Sequence, residues 1–520
     1  MPEAVENPEA QEEGVRTVPR FDLEVSDLGP IIHADISLRP LTVFIGPNGS
    51  GKSWLATMVS AALRAGELSQ RGYYPGGAFG EGPSRADTWP DVPEALEGEW
   101  PDSDASHEAV AHGRQTAVPP EYVNRCRRWW LTTRWVPTML EEGERLLGAA
   151  AGALARRGTP RSGLACQTQC FAVRFGMDED GTVIGDVGLP PWQVLLQPVT
   201  GRPPVPVEWQ LGPGGALVRL ASQRLVGLPP GWPPPELRSV VFDVCVSGLF
   251  VGYPRQPPHL PASRSGLMVV RPELMGAVAS AAAEPSHTPA YPGVVADLLS
   301  RLVRPFKEDG PFAELARWFE EELTGGGHVT MRLSPAGFPD YRFEIGGTEM
   351  PLHMASATVT ESAPLVLYLR HLIQPGHLLI IEEPEAHLHP ANQALLARLF
   401  AKLVRAGVNL LITTHSDFLL EQLSNLILIS QVDAGQRREA YNSDTEEYLH
   451  ASEVGVYVFE PAKDDSPAPG FVTQQVEVTD DDGIAQDEFL KVFEALHYEQ
   501  VALERELAFG GAGDEGLESR

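Results

Sequence analysis

Cysteine and lysine are scarce in this chain, long apolar runs are missing, and positive charge is in deficit. Its four cysteines in 520 residues, Cys126, Cys166, Cys170 and Cys245, are too few and too scattered for a disulfide framework, which points to a reducing cytoplasmic setting. No run reaches the roughly 18 apolar residues that a membrane helix needs, so no membrane span is expected. Forty Lys and Arg against seventy Asp and Glu leave a net charge of −30. That excludes a protein that coats nucleic acid or an anionic membrane through its overall charge, while a local basic groove stays open. Residues 1–19 are acidic and polar. They lack the pattern of a secretory signal or transit peptide and are expected to form a disordered leader. Only five lysines accompany thirty-five arginines, and one of the five is Lys52.

What is present reads as a globular chain, 43% hydrophobic and 21% charged, able to bury a sizeable core. At roughly 150 residues per domain the length fits about three domains, or one domain with a large insertion. The pattern favours the insertion. Residues 20–65 read strand, turn, strand, a buried strand (LTVFI), then a helix. Residues 66–325 begin with a long Gly, Pro and Trp-rich stretch without period. They continue with a helical segment over ~120–157, alternating segments read as antiparallel hairpins over ~166–224, and a mainly helical part beyond ~236. Residues 326–509 return to strands and helices, including apolar runs at 378–381 (LLII), 409–413 (NLLIT) and 426–430 (LILIS), all read as strands, and a last helix at ~487–508. Residues 510–520 are expected to be a disordered tail.

Gly46-Pro47-Asn48-Gly49-Ser50-Gly51-Lys52-Ser53 fits the spacing G-x-x-x-x-G-K-[ST], between a buried strand and a helix. Glycines let successive backbone N–H groups curl around a phosphate, and the helix N-terminus adds its dipole. Lysine reaches the β- and γ-phosphates, and the serine hydroxyl suits Mg²⁺. With Gly common and Lys rare here, a chance match is on the order of 10⁻⁵ per position. The motif predicts ATP binding.

The run Leu378–Ile381 ends in Glu382-Glu383-Pro384-Glu385. Adjacent carboxylates at a buried strand end are costly unless something uses them. Beside a phosphate loop, the first suits a Mg²⁺ ion and the second suits orienting and deprotonating an attacking water. The alternative is a solvated acidic turn. A third apolar run closes on Thr413-Thr414-His415. A histidine there can hydrogen-bond a γ-phosphate or the attacking water, although alone it reads equally as a structural residue.

The order of the phosphate loop, a long insertion, LLIIEEPEAHLHP and LLITTHSDFLL resembles the ABC-type ATPase heads of the SMC, RecF and OLD (overcoming lysogenization defect) group. It is most similar to OLD-like predicted ATPases without a toprim nuclease domain. The resemblance covers about 20–60 and 340–475, and His259–Gly266 more weakly. It implies an α/β P-loop NTPase of ABC-ATPase type, split by a large mixed helical and antiparallel β insertion. It further implies ATP hydrolysis with Mg²⁺, Lys52 and Ser53 on phosphate and metal, Glu382 at the metal, and Glu383 and His415 as the catalytic pair. It implies a homodimer with nucleotide between subunits, a nuclease or other effector as partner, and a role in DNA repair or phage defence, with DNA as a further possible ligand. Glu385–His389 matches the loop that touches the partner subunit; a metal pair at His387 and His389 is the alternative. The signature that caps the partner's nucleotide falls at Met354–Leu365. Ser356 remains there, but Thr358 stands where a glycine is expected, and no glutamine can be placed after the phosphate loop. The altered signature favours a rival reading, an ATP-sensing interaction protein of low turnover. A transporter ATPase is disfavoured because no LSGGQ-like signature is present.

Three other features have plainer readings. Arg125, Arg127, Arg128, Trp129, Trp130, Arg134 and Trp135 suit phosphate contact and base stacking, but equally an amphipathic helix that buries Trp; packing is preferred. Asp480-Asp481-Asp482-Gly483 and Asp178-Glu179-Asp180-Gly181 read as turns, and Cys166 and Cys170 as strand residues without metal.

Overall fold

The computed structural model describes residues 16, 18–71, 96, 115–148, 156, 162–178, 181–199, 207–212, 215–221, 235–250, 258–262, 264–268, 292–306, 308–335, 337–433, 435–437, 446–462 and 470–485. The sequence reading of the acyclic stretch before ~115, of the helix at ~487–508, of the tail and of most of the leader lies outside these residues.

An eleven-stranded sheet organises the molecule. Its strands are β1 (Phe21–Leu28), β2 (Ile31–Ser37), β3 (Leu41–Ile45), β4 (Ser162–Thr168), β5 (Ala172–Asp178), β6 (Gly181–Gly188), β7 (His259–Leu260), β8 (Leu378–Glu382), β9 (Asn409–Thr414), β10 (Val454–Pro461) and β11 (Phe471–Val476). They run in the order β7-β8-β9-β3-β10-β11-β2-β1-β4-β5-β6. From β7 to β10 neighbours are parallel. From β2 through β6 they are antiparallel. The strands Ser162–Gly188, from within the 66–325 segment, therefore extend the sheet that carries the phosphate loop. Among the described residues three smaller sheets accompany it: a meander of His328–Leu333, Pro339–Ile345 and Thr348–Pro351, a four-stranded sheet that includes Gln193–Val199, Val207–Gly212 and Gly215–Ala221, and the pair Val478–Thr479 with Gly483–Ile484. In the four-stranded sheet Gly215–Ala221 pairs antiparallel with Val207–Gly212, the hairpin that its alternation predicts, and on its other side lies parallel to Gln193–Val199, because alternation records a half-buried face and not the direction of each neighbour.

The parallel strands are mainly apolar because both faces are covered, with Thr42, Asn409, Thr413 and Thr414 as buried polar residues of β3 and β9. Successive side chains split between two cores. Phe44, Leu378, Ile380 and Leu411 join one that includes Leu55 and Val59 of the phosphate-loop helix. Val43, Ile45, Leu379, Ile381, Leu410 and Ile412 join the other, with helices Ala357–His371, Pro390–Arg405 and Asp417–Leu428.

Two sequence expectations fail locally. The run 426–430 is not a strand: it ends the helix Asp417–Leu428 and continues in a 3₁₀ turn, Ile429–Gln431. Short apolar runs do not separate helix from strand; here Leu419, Leu420, Leu423, Leu426 and Ile427 share a buried helical face. The helix that the pattern places around Ser362–His371 starts earlier, at Ala357, capped by Ser356. The basic, aromatic segment packs. Trp130 and Trp135 are buried in the first core, Trp135 Nε1 donates to the Ala62 carbonyl of the phosphate-loop helix at 3.1 Å, and buried Arg127 donates to the carbonyls of Pro190 and Cys170. Trp130, Trp135 and Arg127 are thus engaged inside the protein, while Arg125, Arg128 and Arg134 are exposed. The chain is thus an α/β P-loop NTPase with a large helical and β insertion.

Candidate functional site

Three adjacent strands end at one level. Thr414 pairs with Ile45 and Glu382 with Thr413. The phosphate loop after β3, the acidic pair after β8 and the histidine after β9 therefore converge at the C-terminal edge of the parallel sheet, where open α/β folds bind ligands.

The loop's shape depends on its glycines. Gly46 has φ 141°, and a Cβ there would lie 2.7 Å from the Phe459 carbonyl oxygen. Gly51 has φ 102°, and a Cβ would lie 2.5 Å from the Ile31 side chain. Pro47, Asn48 and Gly49 face solvent, while Ser50 is buried with its hydroxyl unpartnered among the described residues. Lys52 Nζ donates to the carbonyls of Gly46 and Pro47, both at 2.9 Å. Burial lowers its pKa to about 8, against the pull of Glu383, Glu385 and Glu382. A cation held inside its own loop by weak neutral acceptors fits a phosphate better than it fits the loop.

Ser53 Oγ donates to Glu382 Oε2 at 3.1 Å across 329 residues of sequence. The Glu382 side chain is 12% exposed. Burial is the largest influence on its pKa and pushes upward, but hydrogen bonds from His259, Ser53 and the Ala262 backbone outweigh it, so the net shift is downward. A serine hydroxyl beside an ionised carboxylate is a hard-oxygen donor set of the kind Mg²⁺ takes, together with phosphate oxygens and water.

Glu383 differs. Its side chain is 41% exposed and lies 3.7 Å, Oε1 to Nε2, from His415. Its φ of 44° is left-handed and costs a non-glycine residue on the order of 1 kcal/mol or more. The surroundings hold it there: its N–H donates to the Thr413 carbonyl at 2.9 Å, and its own carbonyl accepts from Arg264 Nη2 at 3.2 Å. His415 is placed by Glu385, whose Oε1 accepts from the His415 N–H at 2.8 Å and the Thr414 hydroxyl at 2.6 Å. Burial and then Lys52 lower the His415 pKa against Glu383 and Glu385, which favours a neutral ring near pH 7.

Gly46–Ser53, Glu382, Glu383 and His415 thus come together. Ser356 does not join them. It is exposed, and its hydroxyl accepts from the Val359 N–H at 3.4 Å as the cap of helix Ala357–His371. Thr358 donates to the His387 carbonyl at 3.3 Å. His389 caps helix Pro390–Arg405 through Nδ1, and among the described residues no group of three or more His, Cys, Asp or Glu forms a metal cluster. Asp480 accepts from the Ala451 N–H beside the short hairpin Val478–Thr479 and Gly483–Ile484.

Sequence reasoning missed four residues. His259 and Arg264, on and just after β7, contact Glu382 directly. Arg264 is paired with buried Glu361 at 3.0 Å, and Glu385 serves the histidine instead of standing free in the loop. Only the resemblance around His259–Gly266 hinted at the first two; nothing in spacing ties them to β8.

A family profile described as "AAA ATPase domain" matches residues 309–420, a span that includes Glu382, Glu383 and His415. The chain carries an ATPase domain, which supports ATP binding and hydrolysis. No curated protein matches the chain. Solved structures that align with it include an Smc head bound to the C-terminal winged-helix domain of ScpA, at 11% identity over 88% of this chain and 99% of that one, TM-score 0.37. A Pyrococcus furiosus Smc head with an extended coiled coil, bound to the C-terminal domain of ScpA, aligns at 10% identity over 92% and 99%, TM-score 0.38. The Thermotoga maritima SMC head domain aligns at 10% over 89% and 99%, TM-score 0.32. Scores at this level carry no function across.

Proposed function

We propose that this chain is an ABC-type, Mg²⁺-dependent ATPase that works as a nucleotide-dependent homodimer in the cytoplasm and regulates a partner effector. The observation that carries the reading is the meeting of Ser53 with Glu382 at 3.1 Å beside the internally held ammonium of Lys52, with Glu383 and His415 at the rim. In this reading the Gly46–Ser53 backbone cradles the phosphates, and Lys52 leaves the Gly46 and Pro47 carbonyls for the β- and γ-oxygens. Ser53 and Glu382 hold Mg²⁺, which when bound neutralises phosphate charge. Glu383 orients and deprotonates the attacking water, and neutral His415 donates a hydrogen bond at the γ-phosphate. Positioning and charge neutralisation do the work, without a covalent intermediate.

The dimer reading draws on solvent-facing Ser356 and on two exposed apolar side chains, Met354 two residues before it at 66% and Phe418 three residues after His415 at 60%. The effector, a nuclease or another protein of DNA repair or phage defence, rests on the resemblance to OLD-like ATPases alone. Among the described residues no helix is long and apolar enough to cross a membrane. Steady-state phosphate release, measured for the parent and for Lys52→Ala with and without DNA, tests the enzyme. Parent and variant rates at the same background would refute it. Light scattering across an ATP titration tests the dimer; a mass fixed at 56.5 kDa under full activity contradicts it.

A second reading, ATP sensing with little turnover, is favoured by one observation. Thr358, which the resemblance puts at the signature position, has its hydroxyl on the His387 carbonyl, and a side chain there hinders the close backbone approach that glycine permits. Tight ATP binding with negligible phosphate release would select it.

A further inference from the structure

We propose that His259 is a positioning residue that fixes which oxygen of Glu382 faces the metal. This rests on the metal reading of the site given above. β7 is only two residues long and lies at the sheet edge, parallel to β8 with His259 opposite Ile380 and Leu260 opposite Ile381. The pairing is anchored by the Ile380 N–H on the Pro258 carbonyl at 2.9 Å. Just beyond, Arg264 holds the segment down, with Nη1 on the carbonyls of Pro261 and Glu382 and Nη2 on that of Glu383. The Arg264 charge is balanced by Glu361 inside helix Ala357–His371. A strand this short pairs little backbone, so what it contributes is mainly the placement of its side chains.

His259 is one of them. Its side chain is 2% exposed, and its Nε2 lies 2.8 Å from Glu382 Oε1. An ionised carboxylate only accepts, so Nε2 carries the proton and donates. The other ring nitrogen, Nδ1, is buried with no partner among the described residues. A ring kept at the cost of an unsatisfied nitrogen is there for the bond its other nitrogen makes. The two oxygens of Glu382 are thereby divided: Oε1 belongs to His259, and Oε2 lies against Ser53. Glu382 would then bind the metal through one oxygen, in line with Ser53, and could not swing to chelate through two. Hydrogen-bond partners of this kind typically change metal affinity 10–100-fold when removed.

The test uses the reach of two amides. The Gln side-chain amide can place its N–H where His Nε2 stands; Asn places its own near Nδ1 and falls short. Full-length His259→Gln and His259→Asn are compared with the parent by titrating Mn²⁺, followed by its paramagnetic resonance signal, in the presence of a non-hydrolysable ATP analogue. Metal-free analogue binding and melting temperature are measured alongside. The expected result is Mn²⁺ affinity about tenfold or more weaker for His259→Asn and within about threefold of the parent for His259→Gln, with metal-free nucleotide affinity unchanged in both. Equal Mn²⁺ affinity in the two variants, whether parental or lost, overturns the assignment. If His259→Asn does not fold, His259→Gln decides alone, and a tenfold loss in it counts against the proposal. A parent that binds the analogue but no Mn²⁺ sinks the metal reading itself, which keeps the two failures distinguishable.

Discussion

Glu382 and Glu383 are neighbours in sequence but stand in different surroundings, and replacing each by glutamine should separate their roles. Glu382 is buried, with its oxygens on His259 at 2.8 Å and Ser53 at 3.1 Å. Glu382→Gln puts a neutral amide into that position, so either His259 or Ser53 faces an N–H that cannot accept. Metal–nucleotide binding should weaken together with turnover. The Glu383 side chain is 41% exposed and 3.7 Å from His415. Its backbone is held through its N–H and its carbonyl, not through its carboxylate. Glu383→Gln keeps that backbone and the side-chain shape and removes only the base. A positioned base contributes about 10²–10⁴-fold in rate, roughly 2.7–5.5 kcal/mol of barrier. ATP affinity should therefore stay within a few-fold of the parent while phosphate release nearly stops, and an ATP-dependent dimer should become long-lived. Calorimetry of nucleotide binding and steady-state phosphate release on both variants make the comparison. Hydrolysis by Glu383→Gln at the parental rate, or loss of binding as in Glu382→Gln, refutes the division. The second outcome would put both carboxylates on the metal and leave His415 as the next candidate for the base.

Lys52→Ala should cost roughly 2–4 kcal/mol of phosphate interaction, a loss of ATP affinity or turnover of about 30-fold or more, read by calorimetry and phosphate release. Gly46→Ala should lower the melting temperature and abolish nucleotide binding, because a Cβ 2.7 Å from the Phe459 carbonyl at φ 141° adds on the order of 1–3 kcal/mol of strain. Arg64 of the phosphate-loop helix and Arg145 both bond Asp297, each at 2.8 Å. Burial raises the Asp297 pKa, but the two arginines outweigh it and the net value falls below the usual 3.8. Its stabilising contribution should thus be complete above pH ~4 and fade as pH falls through the lower folded value. Allowing for its 34% exposure, Asp297→Asn should cost about 1 kcal/mol at pH 7 and flatten the acid limb of urea melts between pH 2 and 5; an unchanged limb would count against it.

The parallel half of the sheet was legible in the sequence for a physical reason. Strands covered on both faces are apolar at most positions, so LTVFI, LLII and NLLIT stand out as short, nearly unbroken apolar runs. The same signal misled at 426–430, where the last three residues of a helix and the first of a 3₁₀ turn are all apolar. It also had nothing to say about direction, since a strand alternates in the same way beside a parallel or an antiparallel neighbour; Gly215–Ala221 beside Gln193–Val199 shows this. Nor did it show that Ser162–Gly188 joins the main sheet, because the pairing of Phe21–Ser26 with Gly163–Thr168 is a contact between segments some 140 residues apart.

The site divides along the same line. Residues proposed to meet phosphate or metal sit in motifs because backbone geometry fixes their spacing: the loop must curl, the strand must end, the helix must start. Residues that hold those residues in place carry no such constraint. His259 needs only to lie beside β8, and any segment that adds a strand there could supply it, so no interval in the sequence announces it. Arg264 is similar. Its five donors reach the carbonyls of four residues and the Glu361 carboxylate, and a carbonyl has no residue identity to recognise. Glu361 lies one turn inside the helix that Ser356 caps, and Arg264 joins that helix to the backbone of Glu382 and Glu383. A side chain that reads as a misplaced charge on an apolar helix is, in three dimensions, the counter-ion of the brace on Glu382 and Glu383. Buried charge at an unexplained position is thus the trace such residues leave in a sequence, because a charge is rarely buried without a partner. Here Glu361 stands in a helix whose residues from Val359 to Leu369 are all buried, and a charged residue in such a run points to a partner elsewhere in the chain.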